Sequence, residues 1–214
     1  MKSYKSLYLL LGIALFCSVS HGQTEADAAK HKLAEGNKRF VSCQMIHPNN
    51  SSQTRSELAN GQHPFAVIIS CSDSRVPPEM VFDQGLGDLF VIRTAGEVVD
   101  DIALASIEYA VEHLVVKLVI VMGHQKCGAV DAAVKGGKLP PHLNKLIAAI
   151  NPSVAKAKKQ KGDLLHNAIH ENVNRIVMQL NTSKPVLEEF VHEHKLNIIG
   201  AYYNLDSGVV DFLN

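Results

Sequence analysis

The sequence carries no excess of either charge: 21 Lys and Arg stand against 21 Asp and Glu. A protein that neutralises nucleic-acid phosphates wants a basic surplus, so the usual electrostatic case for a nucleic-acid partner is missing. Cysteine is scarce. Four in 214 residues are too few for a disulfide scaffold, and each must be explained singly. Internal repeats and low-complexity linkers are lacking. Beyond residue 22 no apolar run approaches the roughly 20 residues that a transmembrane helix needs. With 46% hydrophobic and 20% charged residues, the chain is nevertheless too apolar to be disordered. Its length suits one domain with a real core, or at most two small ones.

What is present begins with a leader. Lys2 and Lys5 precede the mostly apolar run Leu7–Phe16, which small and polar residues follow from Cys17 to Gly22. A basic start, a short apolar centre and a small-residue end describe a secretory signal peptide. We expect a signal peptide over residues 1–22, with Ser20 and Gly22 at positions −3 and −1 and cleavage before Gln23. An uncleaved anchor and a lipid on Cys17 are the competing readings. Bulky Phe16 stands where a lipidation site wants a small residue. The mature chain, residues 23–214, is therefore expected to be exported, periplasmic or secreted, with no stable membrane insertion after cleavage.

The remainder reads as a single α/β domain: a mostly parallel central β-sheet flanked by α-helices, with an N-terminal helical arm over Glu25–Phe40. A polar stretch, Ser42–His63, reads as loop with a short helix near Ser56–Asn60. Phe65–Ser70, Leu89–Ile92 and Leu118–Val121 are apolar at nearly every position, which predicts strands covered on both faces. Between the last two, Ile102, Ala105, Tyr109 and His113 recur at helical spacing within Asp101–Leu114, completing a βαβ signature. Helices are predicted over Leu143–Lys161, with an interruption at Pro152, over Asp163–Leu180 and over Pro185–His194. Asn197–Tyr203 and Val209–Leu213 around Asp206-Ser207-Gly208 predict a hairpin.

Chemistry concentrates in two short segments. Cys71-Ser72-Asp73-Ser74-Arg75 follows the first buried strand, and Gly123-His124-Gln125-Lys126-Cys127-Gly128 follows the third. Ligands of open α/β sheets gather outside the carboxyl ends of parallel strands, so both segments point at one place. Two thiolates and one imidazole, from Cys71, His124 and Cys127, are a preferred set for Zn²⁺. Three protein ligands leave a fourth position open, as in a catalytic site. Asp73 and Arg75 are close enough to face the same side. The guanidinium can keep Asp73 ionised and off the metal, or Asp73 can swing in as a fourth ligand and close the site.

Blander readings exist for each residue alone, since a lone buried Cys or a lone His after a strand is usually structural. A nucleophilic-cysteine phosphatase wants a longer loop between Cys and Arg. A Cys71–Cys127 disulfide leaves Asp73, Arg75 and His124 unexplained. Elsewhere, His166 and His170 stand four apart and lack the Glu of a metalloprotease motif, so they read as solvent-exposed. His192 and His194 read as an exposed helix end. Lys156, Lys158, Lys159 and Lys161 read as a solvated helix C-terminus, and Cys43 as a free thiol.

The paired motifs, CSDSR and GHQKCG, resemble the zinc signature of the β-class carbonic anhydrases, in their plant-like subgroup, over nearly the whole mature chain. The resemblance implies Zn²⁺ held by Cys71, His124 and Cys127, with Asp73 and Arg75 as the dyad beside the fourth position. It implies that Gln62, nine residues before Cys71, orients substrate. Phe90 and Tyr109 would supply an apolar pocket presented across a dimer interface, in a homodimer or homotetramer. The activity implied is reversible hydration of CO₂ to bicarbonate and a proton by a hydroxide generated at the metal. A carbon disulfide or carbonyl sulfide hydrolase on the same scaffold, and a non-catalytic zinc protein closed by Asp73, are the alternatives. The chain departs from the pattern at Gly96-Glu97, where Asn commonly follows Gly, and at Gln125-Lys126, where small residues often sit. The bicarbonate-regulated subgroup carries a Trp that this chain lacks, so no such regulation is expected.

Overall fold

Strands β1 (Ala66–Cys71) and β3 (Leu118–His124) are buried at every residue, as their unbroken apolar runs require. They lie side by side at the centre of a five-stranded sheet in a computed structural model that describes residues 21–213. The expected leader, Cys17 included, lies outside the described residues except for its last two positions. Strand β2 (Leu89–Thr94) flanks β1. Strands β4 (Asn197–Tyr203) and β5 (Val210–Leu213) complete the order β2-β1-β3-β4-β5, with only β5 antiparallel. The chain passes from β1 to β2 on one side and then to β3 on the other. The direction of winding thus reverses between β1 and β3, the place where open sheets of this kind form a ligand crevice.

Because strand side chains alternate, each central strand feeds two cores. Ala66, Ile68, Leu118, Ile120 and Met122 face one side, with residues of α1 (His21–Val41), α5 (Gly128–Lys135) and α6 (Pro141–Ala157). Val67, Ile69, Val119 and Val121 face the other, with α4 (Asp101–Glu112), much of α7 (Leu164–Asn181) and α8 (Val186–His192). Two shorter helices, α2 (Ser52–Leu58) and α3 (Pro78–Val81), belong to the connections. Gly36 lets α1 sit directly against α3's end, since a Cβ there would lie 1.7 Å from the Phe82 carbonyl oxygen. The buried Asn37 side chain ties three distant segments. Its Nδ2 donates to the carbonyls of Val81 (3.0 Å) and Gly208 (2.9 Å), and its Oδ1 accepts from the Val210 amide (2.9 Å).

Four expectations need correction. Strand β2 is an edge strand, only half-buried along most of its length, because nothing among the described residues covers its outer side. Helix α4 forms as predicted, capped by Asp100 Oδ1 on the Ala103 amide (2.9 Å). Its core face, however, is Ala103, Ile107, Ala110 and Val111, while Ile102 and Tyr109 are 77% and 46% exposed. The helix carries two apolar stripes, and the one read from the sequence points outward. The short helix after the arm lies earlier than expected, starting behind the Ser51 cap. Pro152 does not interrupt α6. It removes one i→i−4 bond, but buried Ile147, Ile150 and Val154 hold the helix on both sides of it. Among the described residues no helix is long and apolar enough to cross a membrane.

Candidate metal centre

Cys71 is the last residue of β1, His124 the last of β3, and Cys127 precedes the first turn of α5. The turn between His124 and Cys127 is tight, with Lys126 in the left-handed region at φ 56°. All three side chains are buried, and their ligand atoms lie within 4.8 Å of one another. The two Sγ atoms are 4.0 Å apart. Two thiolates on a tetrahedral Zn²⁺ at about 2.3 Å stand about 3.8 Å apart, so the pair is spaced for that ion.

The imidazole is set for the same purpose. His124 Nδ1 donates to the Gln125 carbonyl at 3.0 Å, which leaves the lone pair on Nε2. Nε2 is fully buried without a hydrogen-bond partner, a costly arrangement unless a metal takes the lone pair. The thiols are set likewise. A hydrogen bond from Cys127 pulls the Cys71 thiol well below its usual range. That bond and burial push Cys127 up. A dication bound between them would hold both as thiolates. Burial opposes a charged His124, but the adjacent Cys71 sulfur outweighs it and raises that imidazole's proton affinity.

Asp73 stands at the mouth of this group and is held by Arg75. Its Oδ1 accepts from the Arg75 amide (3.0 Å) and Nε (2.9 Å), and its Oδ2 accepts from Nη2 (2.7 Å). The bidentate guanidinium keeps the Asp73 carboxyl far below the ordinary range. Oδ2 lies 3.9 Å from His124 Nε2. Asp73 thus pairs with Arg75 and sits next to the three ligand atoms without joining them. Arg93 pins the loop from the neighbouring strand, through Nε on the Cys71 carbonyl (3.0 Å) and Nη2 on the Asp73 carbonyl (2.6 Å).

A second carboxyl lies behind the ligands. Glu97 is fully buried with φ 45°. Its Oε1 accepts from Asn172 Nδ2 at 2.9 Å, its Oε2 has no partner, and burial pushes it up to about 7. The same Asn172 Nδ2 holds the Gly96 carbonyl (2.9 Å), while the Gly96 amide donates to Cys71 Sγ (3.3 Å). Gln125 and Lys126 are clamped to the β4–β5 turn, Gln125 Nε2 donating to Asp206 Oδ2 at 2.8 Å and Lys126 Nζ lying 3.5 Å from Asp206 Oδ1.

The remaining candidates are not brought here within one chain. Phe90 is paired with Val67, four residues and so about 13 Å along β1 from Cys71. Tyr109 packs beside Phe90 with ring centroids 6.4 Å apart. Gln62 is exposed and precedes β1 altogether. His166 is exposed as predicted, but His170 is half-buried, stacked on Tyr202 at 4.6 Å. The β4 tyrosine supplies an apolar face that the helix pattern alone does not reveal. His192 and His194 are exposed, and Cys43 is an exposed free thiol. Lys156 is not simply solvated, since it pairs with Glu171 at 2.7 Å. Sequence reasoning misses Arg93 and Asn172, whose partners around the metal ligands lie 20 to 76 residues away. Glu97 had one signal, an acid in the place of an amide after Gly96.

A family model described as carbonic anhydrase matches residues 66–210. The chain is similar to carbonic anhydrase 2 of Mycobacterium tuberculosis, 42% identical over 189 residues that cover 86% of this chain and 91% of that protein. It is 39% identical to a carbonic anhydrase of Mycolicibacterium smegmatis, over 86% of this chain and 91% of that one. Among solved structures, a tetrameric β-carbonic anhydrase of the ascomycete Sordaria macrospora superposes with a TM-score of 0.70 at 25% identity, covering 88% of this chain and 98% of that one. A Coccomyxa β-carbonic anhydrase solved with acetazolamide gives a TM-score of 0.70 at 28% identity, covering 84% and 83%.

Proposed function

The chain belongs to the β-class carbonic anhydrases and catalyses the zinc-dependent reversible hydration of CO₂, and from that premise we propose how its own residues divide the work. Cys71, His124 and Cys127 hold the zinc. The observation that carries this is the buried, unpartnered His124 Nε2 facing two thiols 4.0 Å apart. Bound there, zinc supplies a Lewis acid that brings the ionisation of water toward neutral pH.

Asp73 Oδ2 accepts a hydrogen bond from the attacking water and turns a lone pair toward the carbon of CO₂. Because Arg75 keeps Asp73 ionised, the carboxylate orients the proton without retaining it, and the proton passes outward to buffer. Arg93 and the Gly96 amide fix Cys71 and its loop from behind, so the orientation is set before substrate arrives.

The apolar wall for CO₂ comes from a second copy. Phe90, Tyr109 and Gln62 lie far along β1 from their own metal ligands. Phe90 and Tyr109 sit on an edge strand and an outward apolar stripe that nothing among the described residues covers. A two-fold dimer across this edge brings each set toward the partner's metal centre. The Sordaria relative is tetrameric, consistent with dimers that pair further. Tyr109→Glu should dissociate the dimer in sedimentation and lower CO₂ hydration together. Export with cleavage before Gln23 completes the reading, tested by the N-terminal residue of the protein recovered from the cell envelope.

The decisive measurement is CO₂ hydration by the purified chain, with zinc content determined on the same sample. Turnover should follow bound zinc one to one. Faster turnover of carbonyl sulfide than of CO₂ would overturn the substrate assignment.

A further inference from the structure

Away from the metal, helices α6 and α7 enclose a cavity of about 190 Å³ whose lining includes Ser153, Lys156, Glu171, Arg175 and Met178. Its cations and anions are unevenly matched. Glu171 is satisfied by Lys156 Nζ at 2.7 Å and by Gln160 Nε2 at 2.5 Å. Arg175 forms no ion pair with any carboxylate among the described residues. Its Nε donates to Ser153 Oγ (3.1 Å), its Nη2 reaches Asn172 Oδ1 only at 3.5 Å, and among the described residues no hydrogen bond engages Nη1.

The guanidinium is fixed from behind by buried groups. Ser153 is 2% exposed and Asn172 not at all. Ser153 Oγ donates its own proton to Asn172 Oδ1 at 3.2 Å, so it is free to accept from Arg175. The Asn172 amide is oriented in turn by the Gly96 carbonyl and Glu97. Glu97 is the other acid that faces Arg175, and Asn172 stands between them. Arg175 is therefore held in one orientation by Ser153 while a guanidinium edge remains unused at a half-buried site. A charge in that position is poorly solvated and unpaired, which an incoming anion relieves.

We propose that this cavity is a binding subsite for a small oxyanion, anchored by Arg175 and flanked by Lys156. A planar fork of N–H groups matches the paired oxygens of a carboxylate or of an inorganic tetrahedral anion. Met178 lines the same cavity, so a short carbon chain on the anion is accommodated. The subsite is separate from the CO₂ centre and independent of how that centre works. It backs onto the metal loop only through Asn172.

The test uses ¹⁵N-labelled, zinc-loaded full-length protein and follows each arginine Nε–H signal during titration with sodium sulfate or sodium acetate, at ionic strength held constant with chloride. The Arg175 signal, assigned by through-bond correlation to its own backbone, should shift and saturate with a midpoint on the order of 1–10 mM. Tighter sulfate assigns an inorganic ligand, and tighter acetate a carboxylate. Arg175→Met should weaken the saturable binding at least tenfold, and Lys156→Met severalfold. A linear shift for both anions, or a midpoint identical to that of Arg75 beside the metal, overturns the proposal. The wild-type titration decides the matter even if a variant does not fold.

Discussion

Asp73 and Glu97 are carboxyls set on opposite sides of the same three metal ligands, and their surroundings drive them to opposite characters. Asp73 stands at the mouth, gripped by both ends of the Arg75 fork, and stays ionised. Glu97 stands at the back, fully buried with one oxygen unpartnered, and is pushed up to about 7. Pairs of acids driven apart in this way mark a division of roles. The front acid is a group for substrate water. The rear acid is a neutral or half-neutral strut for the Gly96 turn, and placing it there costs stability.

Both acids act around the same three metal ligands, so removing a ligand has the largest effect. Cys71→Ala should lose zinc and all measurable CO₂ hydration together, in paired metal analysis and stopped-flow assays. Retained activity without zinc would dissolve the comparison altogether. Next comes the front acid. Asp73→Asn should keep full zinc and lose roughly 10²–10⁴-fold in turnover, the usual worth of a positioned proton-handling group. Wild-type activity should rise from acid toward alkaline pH, because two thiolates already offset much of the metal's charge and weaken its pull on water. A rate maximum on the acid side would contradict that.

The rear acid is expected to speak through stability and hardly through rate. A folded-state value of about 7 against 4.5 in the unfolded chain means that the folded protein binds a proton the unfolded chain has released. Stability contributed by that proton is present below 4.5 and is lost as pH rises through 7, by about 3 kcal/mol in all. Urea unfolding of metal-free protein between pH 4.5 and 8 should show a decline in the wild type that is smaller by this amount in Glu97→Gln, the raised His124 contributing equally to both. Parallel curves would make the two acids alike. Turnover of the zinc-loaded Glu97→Gln protein should stay within about tenfold of wild type, since the side chain does not reach the mouth.

Much of this was legible beforehand, for reasons that differ by residue. Strands β1 and β3 announce themselves because both faces are buried, and their carboxyl ends place Cys71 and His124 together without further information. The Asp73–Arg75 pair is legible because its partners are two residues apart. Ile102 misled, since an apolar stripe awaiting another surface has the same spacing as one packed on the protein's own sheet, whereas the resemblance already gave Tyr109 an outward, interface-facing place. Pro152 misled because propensity is local, whereas the packing of Ile150 and Val154 is not. Asn172 and Arg93 were invisible: a single hydrogen-bonding side chain leaves no periodic trace, and theirs reach across other elements.

Asn37 carries a consequence for how the molecule is made. Its amide, buried in the N-terminal helix, takes its partners from Val81, Gly208 and Val210. Ribosomes add roughly 5–20 residues per second, so this side chain finds Val81 early and is fully satisfied only once Val210 has been made. A polypeptide stopped short of Gly208 retains most of the sheet and every metal ligand, yet leaves that amide with unmet partners in the interior. The N-terminal helix and the β4–β5 turn are thus fastened to each other through one buried side chain.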